Sequence, residues 1–466
     1  MLSPEIQHRI ERVCACLTTP IVEKDAPHNC QTLHDRMIAD RVPGISIAVI
    51  HNGEIEWAQG FGVAQLDGAP VTAETLFQSG SISKPVAAMA ALRLVQEGKL
   101  SLDADVNQAL TSWKIPPSVA APEAVVTLRE LLNHTAGLTV QGFPGYAAGT
   151  PIPTLVQILN GEQPANTALV RMEAPPGSRW KYSGGGYVVM QQLLIDVSHE
   201  QFAKLMRDAV LAPIGMTRST YEQPLPAELR AGAAMPYNAD GTPVADGPHT
   251  YPEMAAAGLW TTPTDLARYV MEIQRSLRGD ANHVLSVEMT KQMLVTGQGN
   301  YGLGLVIGGS PENPYFSHGG INAGFENSLV AYQRTGEGAV VVTNTQGGQQ
   351  LADAVIRSIA SVYGWPNFHP IVRASIAVDP AVLATYVGVY EIDSDPKYSL
   401  DIRLENGQLV GHSPFRPKYQ LFPKSQNEFF AKVISTEFEF LRNDSGRVAH
   451  LVLHYGGEET RGERKQ

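Results

Sequence analysis

Residues 77–92 read Phe77-Gln78-Ser79-Gly80-Ser81-Ile82-Ser83-Lys84-Pro85-Val86-Ala87-Ala88-Met89-Ala90-Ala91-Leu92, and no breaker follows until Gly98. Such a run of Ala, Met and Leu predicts a buried helix whose head carries Ser81 and Lys84. Three residues apart, the two side chains share a helical face, one turn from each other. A serine hydroxyl is a poor nucleophile until something takes its proton, and a lysine in apolar surroundings has a pKa low enough to do so. The same spacing recurs at Ser178/Lys181 and Ser394/Lys397. One follows Pro175-Pro176-Gly177 and the other sits in Asp393-Ser394-Asp395-Pro396, so both read as turns without a buried helix behind them. Context favours Ser81, although a helix N-cap beside a solvated lysine fits the same pattern.

Upstream, residues 45–50 and 54–58 flank His51-Asn52-Gly53, the strongest short signal for a hairpin. Downstream, from residue 100 to about 236, short helices separated by Pro and Gly predict a helical subdomain. One opens on the capping box Thr127-Leu128-Arg129-Glu130. Another helix opens on Thr262-Pro263-Thr264-Asp265. Residues 301–307, 326–333 and 338–343 read as strands and 351–363 as a closing helix. Together these predict an α+β class, an antiparallel sheet with packed helices. Past Trp365-Pro366-Asn367-Phe368-His369-Pro370 come a short helix at 379–385 and strands at 386–390, 399–404, 408–412, 428–433, 437–441 and 448–454. Their spacing of about ten residues predicts a small all-β barrel. The expected domains are therefore 1–370, with its helical insertion, and 371–466.

The 466 residues carry a net charge of −11 with no Lys/Arg-rich run, which argues against nucleic acid and anionic membrane as partners. No apolar stretch reaches the roughly 18 residues of a membrane span. Residues 1–17 lack an apolar leader core, and Ile6, Ile10, Val13 and Leu17 fit an amphipathic helix. Cys14, Cys16 and Cys30 are odd in number and clustered, and read as free thiols. A cytoplasmic location follows, although a leader removed on export would leave the same sequence. His450 and His454 lie on one face of a strand pattern, and neither a metal nor a cofactor is called for.

Acyl transfer at Ser81 also needs a proton shuttle and two N–H donors for the oxyanion. Trp180-Lys181-Tyr182-Ser183-Gly184-Gly185-Gly186 supplies a phenol beside glycines that let a ligand or another backbone approach. Ser317-His318-Gly319-Gly320-Ile321-Asn322 reads as an edge strand whose side chains vanish where a substrate would lie. Each piece alone has a bland structural explanation, an aromatic on a core edge or a satisfied histidine.

In their order along the chain, the three pieces resemble the serine β-lactamase and penicillin-binding-protein superfamily. The likeness is closest to class C β-lactamases, DD-peptidases, D-aminopeptidases and family VIII-type esterases. It covers about residues 30–365 and includes Leu131-Leu132-Asn133-His134-Thr135-Ala136-Gly137-Leu138 and Gly258-Leu259-Trp260-Thr261-Thr262-Pro263-Thr264-Asp265-Leu266. The resemblance implies Ser81 as nucleophile, with Lys84 deprotonating it or tuning Tyr182. Tyr182 would shuttle the proton, and His318 would replace the lysine of a Lys-Thr-Gly strand. The N–H groups of Ser81 and Ile321 would form the oxyanion hole. Gly184, Gly319 and Gly320 would border the substrate. Two departures stand out. Gly184 replaces an amide-bearing residue, and a titrating histidine replaces a permanent cation. Both argue against an efficient β-lactamase. The later strands resemble the lipocalin-like domains of some related peptidases, with the turn 393–397 as a candidate contributor to the site mouth.

The expected activity is hydrolysis, through an acyl-enzyme, of small peptide or amide bonds, D-residues included, and of small esters. A carboxylesterase of the same fold and a silent ligand-binding sensor are the alternatives. The expected partner is a small-molecule or short-peptide substrate. Self-association into a homo-oligomer stays open.

Overall fold

The computed structural model describes residues 2–25, 30–65, 68–118, 121–392, 399–413, 416–455 and 458–465. The chain divides into two compact units. One comprises Met1–Glu11 with His34–Ile359, the other Arg12–Leu33 with Ala360–Gln466.

The first unit is built on a six-stranded antiparallel sheet: β1 (Gly44–His51), β2 (Glu54–Gly62), β3 (Val306–Gly309), β4 (Pro314–Asn322), β5 (Phe325–Tyr332) and β6 (Gly338–Thr343). Its spatial order is β2-β1-β6-β5-β4-β3. Asn52 and Gly53 both take positive φ (54° and 78°), which a two-residue hairpin with matching twist requires. The helices that matter here are α1 (Ser83–Gln96), α2 (Gly184–Ser198), α3 (Pro263–Arg278) and α4 (Gln349–Tyr363). Val86 through Leu92 are all buried in α1, as their unbroken apolar run demands. Thr262 caps α3, its hydroxyl accepting from Asp265 N at 3.1 Å, with Pro263 in the first turn. The capping box at Thr127 forms as read. Short helices Val106–Ala109, Leu128–Leu132, Leu155–Asn160 and Phe202–Met206 surround α2 and make up the helical subdomain.

The glycine-bearing strand is not a simple edge. β3 pairs with β4 only from Val306↔Ser317 to Gly309↔Pro314. Among the described residues, the half of β4 from His318 to Asn322 is thus left without a strand partner on that side. The edge expected from the sequence exists only there, because β3 stops short.

The second unit contains a closed barrel of eight antiparallel strands, from Gly388–Ile392 to Glu458–Arg464. The first strand closes on the last through Tyr390↔Arg464. Tyr390, Ile402, Leu421, Phe429, Phe438 and Phe440 pack its interior. The barrel is lipocalin-like in form. Two strands escape sequence patterning: Arg416–Pro423, which holds two prolines, and Glu458–Arg464, which is almost wholly polar. Both pair because closure leaves them between two neighbours, not because of composition. Asp379 caps a helix over Pro380–Ala384, near the expected place. Ser394, Lys397 and the turn 393–397 lie outside the described residues.

A parallel pairing of Ile21–Glu23 with Ile371–Arg373 brings an N-terminal segment into this unit. Lys432 Nζ reaches Glu23 Oε2 at 2.7 Å. Here the cysteine expectation fails. Cys16 and Cys30 form a disulfide across 14 residues, leaving Cys14 as a free thiol. The cause is tertiary: Leu17 and Gln31 form an antiparallel bridge that brings the flanking cysteines together. The bridge removes one of the observations behind a cytoplasmic location. No helix among the described residues is long and apolar enough to cross a membrane.

Candidate active site

Ser81 lies in a single 3-10 turn, Gly80–Ile82, that runs into α1. The turn is pinned on several sides. Ser79 N donates to Leu259 O at 2.9 Å. Ser83 Oγ donates to Gly80 O at 2.6 Å and accepts from Leu259 N at 3.0 Å. Gly80 takes φ +55°, and a Cβ there would lie 2.4 Å from Ile321 N. Only glycine therefore allows the end of β4 to seat against the turn that carries Ser81.

Lys84 follows one helical turn later and is 2% exposed. Its Nζ lies 3.0 Å from Ser81 Oγ and 2.8 Å from Ala256 O. Among the described residues no carboxylate is paired with it. Burial lowers its pKa to about 7, so a large neutral fraction exists near pH 7. The two other Ser-x-x-Lys pairs are unlike it. Ser178 Oγ donates to Pro175 O, and Lys181 forms an ion pair with Glu173 at the surface. The third lies outside the described residues.

Tyr182 stands over the same amine. Lys84 Nζ is 4.9 Å from the centre of its ring, and Tyr182 lines the same cleft as Ser81. Burial pushes the phenol's pKa up, with the nearby Ser81 hydroxyl offsetting part of the rise. His134 holds the tyrosine from both sides in sequence. Its carbonyl accepts from Lys181 N at 2.9 Å, and its Nδ1 accepts from Ser183 N at 3.1 Å. The two rings lie 4.2 Å apart. His134 takes a left-handed φ of 64° in doing so. Burial, then the nearby Lys84 and His318, hold the His134 pKa well below the usual range, so the ring stays neutral.

β4 brings the third segment. The His318 ring lies 6.4 Å from that of Tyr182. Its Nε2 meets Tyr301 OH at 2.6 Å and its Nδ1 meets Gly319 O at 2.5 Å. Burial, and then the charge on Lys84, lower its pKa to about 3. The titrating cation expected from the sequence is thus a neutral imidazole at ordinary pH, because it has lost its water. A Cβ on Gly320 would lie 1.9 Å from Ser79 O, whereas one on Gly319 would find nothing nearer than Gln349 Oε1 at 3.6 Å.

Ser81, Tyr182, His318, Gly319, Gly320 and Ile321 line one cleft of about 360 Å³. Gly184 does not. It is buried at the head of α2, where its N–H donates to Gln141 O and a Cβ would lie 2.9 Å from that oxygen. Its expected place beside the substrate is therefore corrected: it serves packing. Trp180, Gly299, Tyr301, Val306 and Gln349 complete the lining. None of these five was assigned a role from sequence. Trp180 lay inside the quoted motif, but Tyr301 and Gln349 carry no local signal. A larger hollow of about 440 Å³, bordered by Ala147, Leu225, Met235 and Trp260, contains none of the clustered groups.

Comparison with known proteins agrees with this fold. The beta-lactamase family model matches residues 31–363, and a domain of unknown function (DUF3471) matches residues 372–464. A penicillin-binding protein of Bacillus subtilis (strain 168) is 23% identical over 438 residues, covering 89% of this chain and 93% of that protein. Esterase EstB of Burkholderia gladioli is 30% identical over 220 residues, covering 46% of this chain and 53% of the esterase. Among solved structures, the octameric penicillin-binding protein homologue from Pyrococcus abyssi superposes with a TM-score of 0.63 at 23% identity. It covers 92% of this chain and 98% of that one, a likeness of fold. Fold and relatives together define a serine hydrolase. The chain belongs to the beta-lactamase family.

Proposed function

We propose that the chain hydrolyses small, uncharged acyl compounds through an ester formed on Ser81. The 3.0 Å approach of Lys84 Nζ to Ser81 Oγ, with the Tyr182 ring over the same amine, carries this reading. The pKa directions separate two roles left open by the resemblance. The Tyr182 phenol is pushed up and stays protonated, whereas Lys84 titrates near 7. The neutral amine is therefore the base that takes the Ser81 proton. Ser81 Oγ attacks the carbonyl carbon, and the N–H groups of Ser81 and Ile321 receive the developing oxyanion. Tyr182 passes a proton to the leaving oxygen or nitrogen and is resupplied by the Lys84 ammonium. Water then attacks the acyl-enzyme along the reverse proton path. The amide-, peptide- and ester-cleaving activities all fit this chemistry. The residues given roles here, Ser81, Lys84, Tyr182 and Ile321, all belong to the first unit.

One observation favours the carboxylesterase reading over cleavage of peptides with a free carboxylate. Among the described residues lining the cleft there is no lysine or arginine, and its histidine is neutral. A substrate carboxylate would be desolvated there without a partner. Trp180, Tyr301, Val306 and Ile321 instead present apolar surface to an acyl or alkoxy group.

The test compares wild type with Ser81→Ala and Tyr182→Phe on p-nitrophenyl butyrate, amino-acid p-nitroanilides, short L- and D-peptides and a chromogenic cephalosporin. The expected result is turnover of the ester above all others, loss of at least 10³-fold in Ser81→Ala, and 10²–10⁴-fold in Tyr182→Phe. A fluorophosphonate should label wild type at Ser81. Full activity in Ser81→Ala would overturn the reading.

A further inference from the structure

The segment 251–260 contacts the head of α1, the turn that holds Ser81 and the end of β4. Gln191 of α2 clamps its start, donating to Pro252 O at 3.1 Å and accepting from Ala255 N at 2.9 Å. Ala256 O receives Lys84 Nζ, and Ala257 O receives Asn322 Nδ2 at 3.0 Å. Leu259 bonds to Ser79 and Ser83 on either side of the nucleophile. The Tyr251 hydroxyl accepts from Ala323 N at 2.9 Å, two residues beyond Ile321. At the centre sits Glu253, whose carbonyl accepts from Ala256 N and Ala257 N. Its side chain is fully buried, and neither carboxyl oxygen has a hydrogen-bond partner among the described residues. A carboxyl left unpaired in such a clamp calls for a physical explanation.

We propose that Glu253 is a positioning residue: as a neutral carboxyl it keeps the 251–260 clamp closed on Lys84, and its ionisation opens the clamp. The inference rests on Lys84 acting as the base for Ser81. An anion in this position has no counter-charge, so ionisation is accommodated only by movement that admits water. The titratable groups that face it are the phenols of Tyr146 and Tyr251, both raised by burial and by its charge. From α2 it meets the neutral amide of Gln191. Burial raises the Glu253 pKa to about 8. The sign is then set. Activity rises as Lys84 loses its proton near pH 7 and falls as Glu253 loses its own near pH 8.

The experiment measures kcat and KM of wild type and Glu253→Gln on p-nitrophenyl butyrate from pH 6 to 10, corrected for spontaneous hydrolysis. Above pH 8, kcat of wild type should fall about tenfold per pH unit with KM little altered, and Glu253→Gln should lose that limb while keeping the acid one. Superimposable alkaline limbs would overturn the proposal. Should Glu253→Gln fail to fold, infrared titration of wild type decides. A protonated-carboxyl band present at pH 7 must vanish with the midpoint of the kcat limb, and its absence at pH 7 refutes the idea. Ser81→Ala activity reports on the acyl-enzyme reading separately, at every pH.

Discussion

Lys84 is the residue at which stability and chemistry oppose each other. Moving its pKa from 10.5 to about 7 corresponds to about 5 kcal/mol of disfavour for the charged form. Because the folded pKa lies below the unfolded one, the unfolded chain binds more protons between pH 7 and 10.5. Stability therefore rises with pH across that window, and the cost is complete below pH 7. Lys84→Met should raise the melting temperature at pH 6, lose its advantage by pH 10, and reduce kcat by at least 10³-fold. In wild type, kcat/KM should fall below a midpoint near pH 7 as the amine takes a proton. Thermal melts and a pH–rate series check both. A variant melting below wild type at pH 6 would show that Lys84 is held by interactions that outweigh its desolvation.

At the scale of elements, the site depends on how closely the nucleophile's turn approaches β4. The two neighbouring glycines of that strand should respond differently to one methyl group. Gly320→Ala drives a Cβ to 1.9 Å from Ser79 O, so turn and strand must separate. A destabilisation of about 1–3 kcal/mol is expected, together with a fall in kcat of at least 10²-fold as the Ile321 N–H leaves the oxyanion. Gly319 is exposed, and its added Cβ would meet only an ordinary contact at 3.6 Å. Gly319→Ala should melt within a few degrees of wild type. Equal melting temperatures in the two variants would contradict the packing described here. The short β3 matters equally, since its early end leaves residues 318–322 without a strand partner on that side.

Across the whole molecule, residues far apart in sequence define both units. The pairing of Ile21–Glu23 with Ile371–Arg373 and the disulfide Cys16–Cys30 belong to the second. Thiol titration of the denatured, unreduced chain should find one free thiol and, after reduction, three. Cys30→Ser should destabilise the second unit by about 2–3 kcal/mol, the loop-closure contribution expected for a bridge of this span. Three thiols before reduction would exclude the bridge. What the sequence by itself determined is local. The α1 run, the Asn52-Gly53 hairpin, the caps at Thr127 and Thr262 and the alternation of most barrel strands rest on neighbours within a few residues. The three motif segments were legible as well, and the fold brings Ser81, Tyr182 and His318 from them to one cleft. Tertiary structure decided the rest. It removed the water from Lys84, Glu253 and His318, turned an expected titrating cation into a neutral ring, and buried Gly184 against Gln141. It also brought Trp180, Tyr301 and Gln349 to the cleft and paired two cysteines. Desolvation and long-range contact depend on what lies across the fold, and a pattern read along the chain carries no record of that.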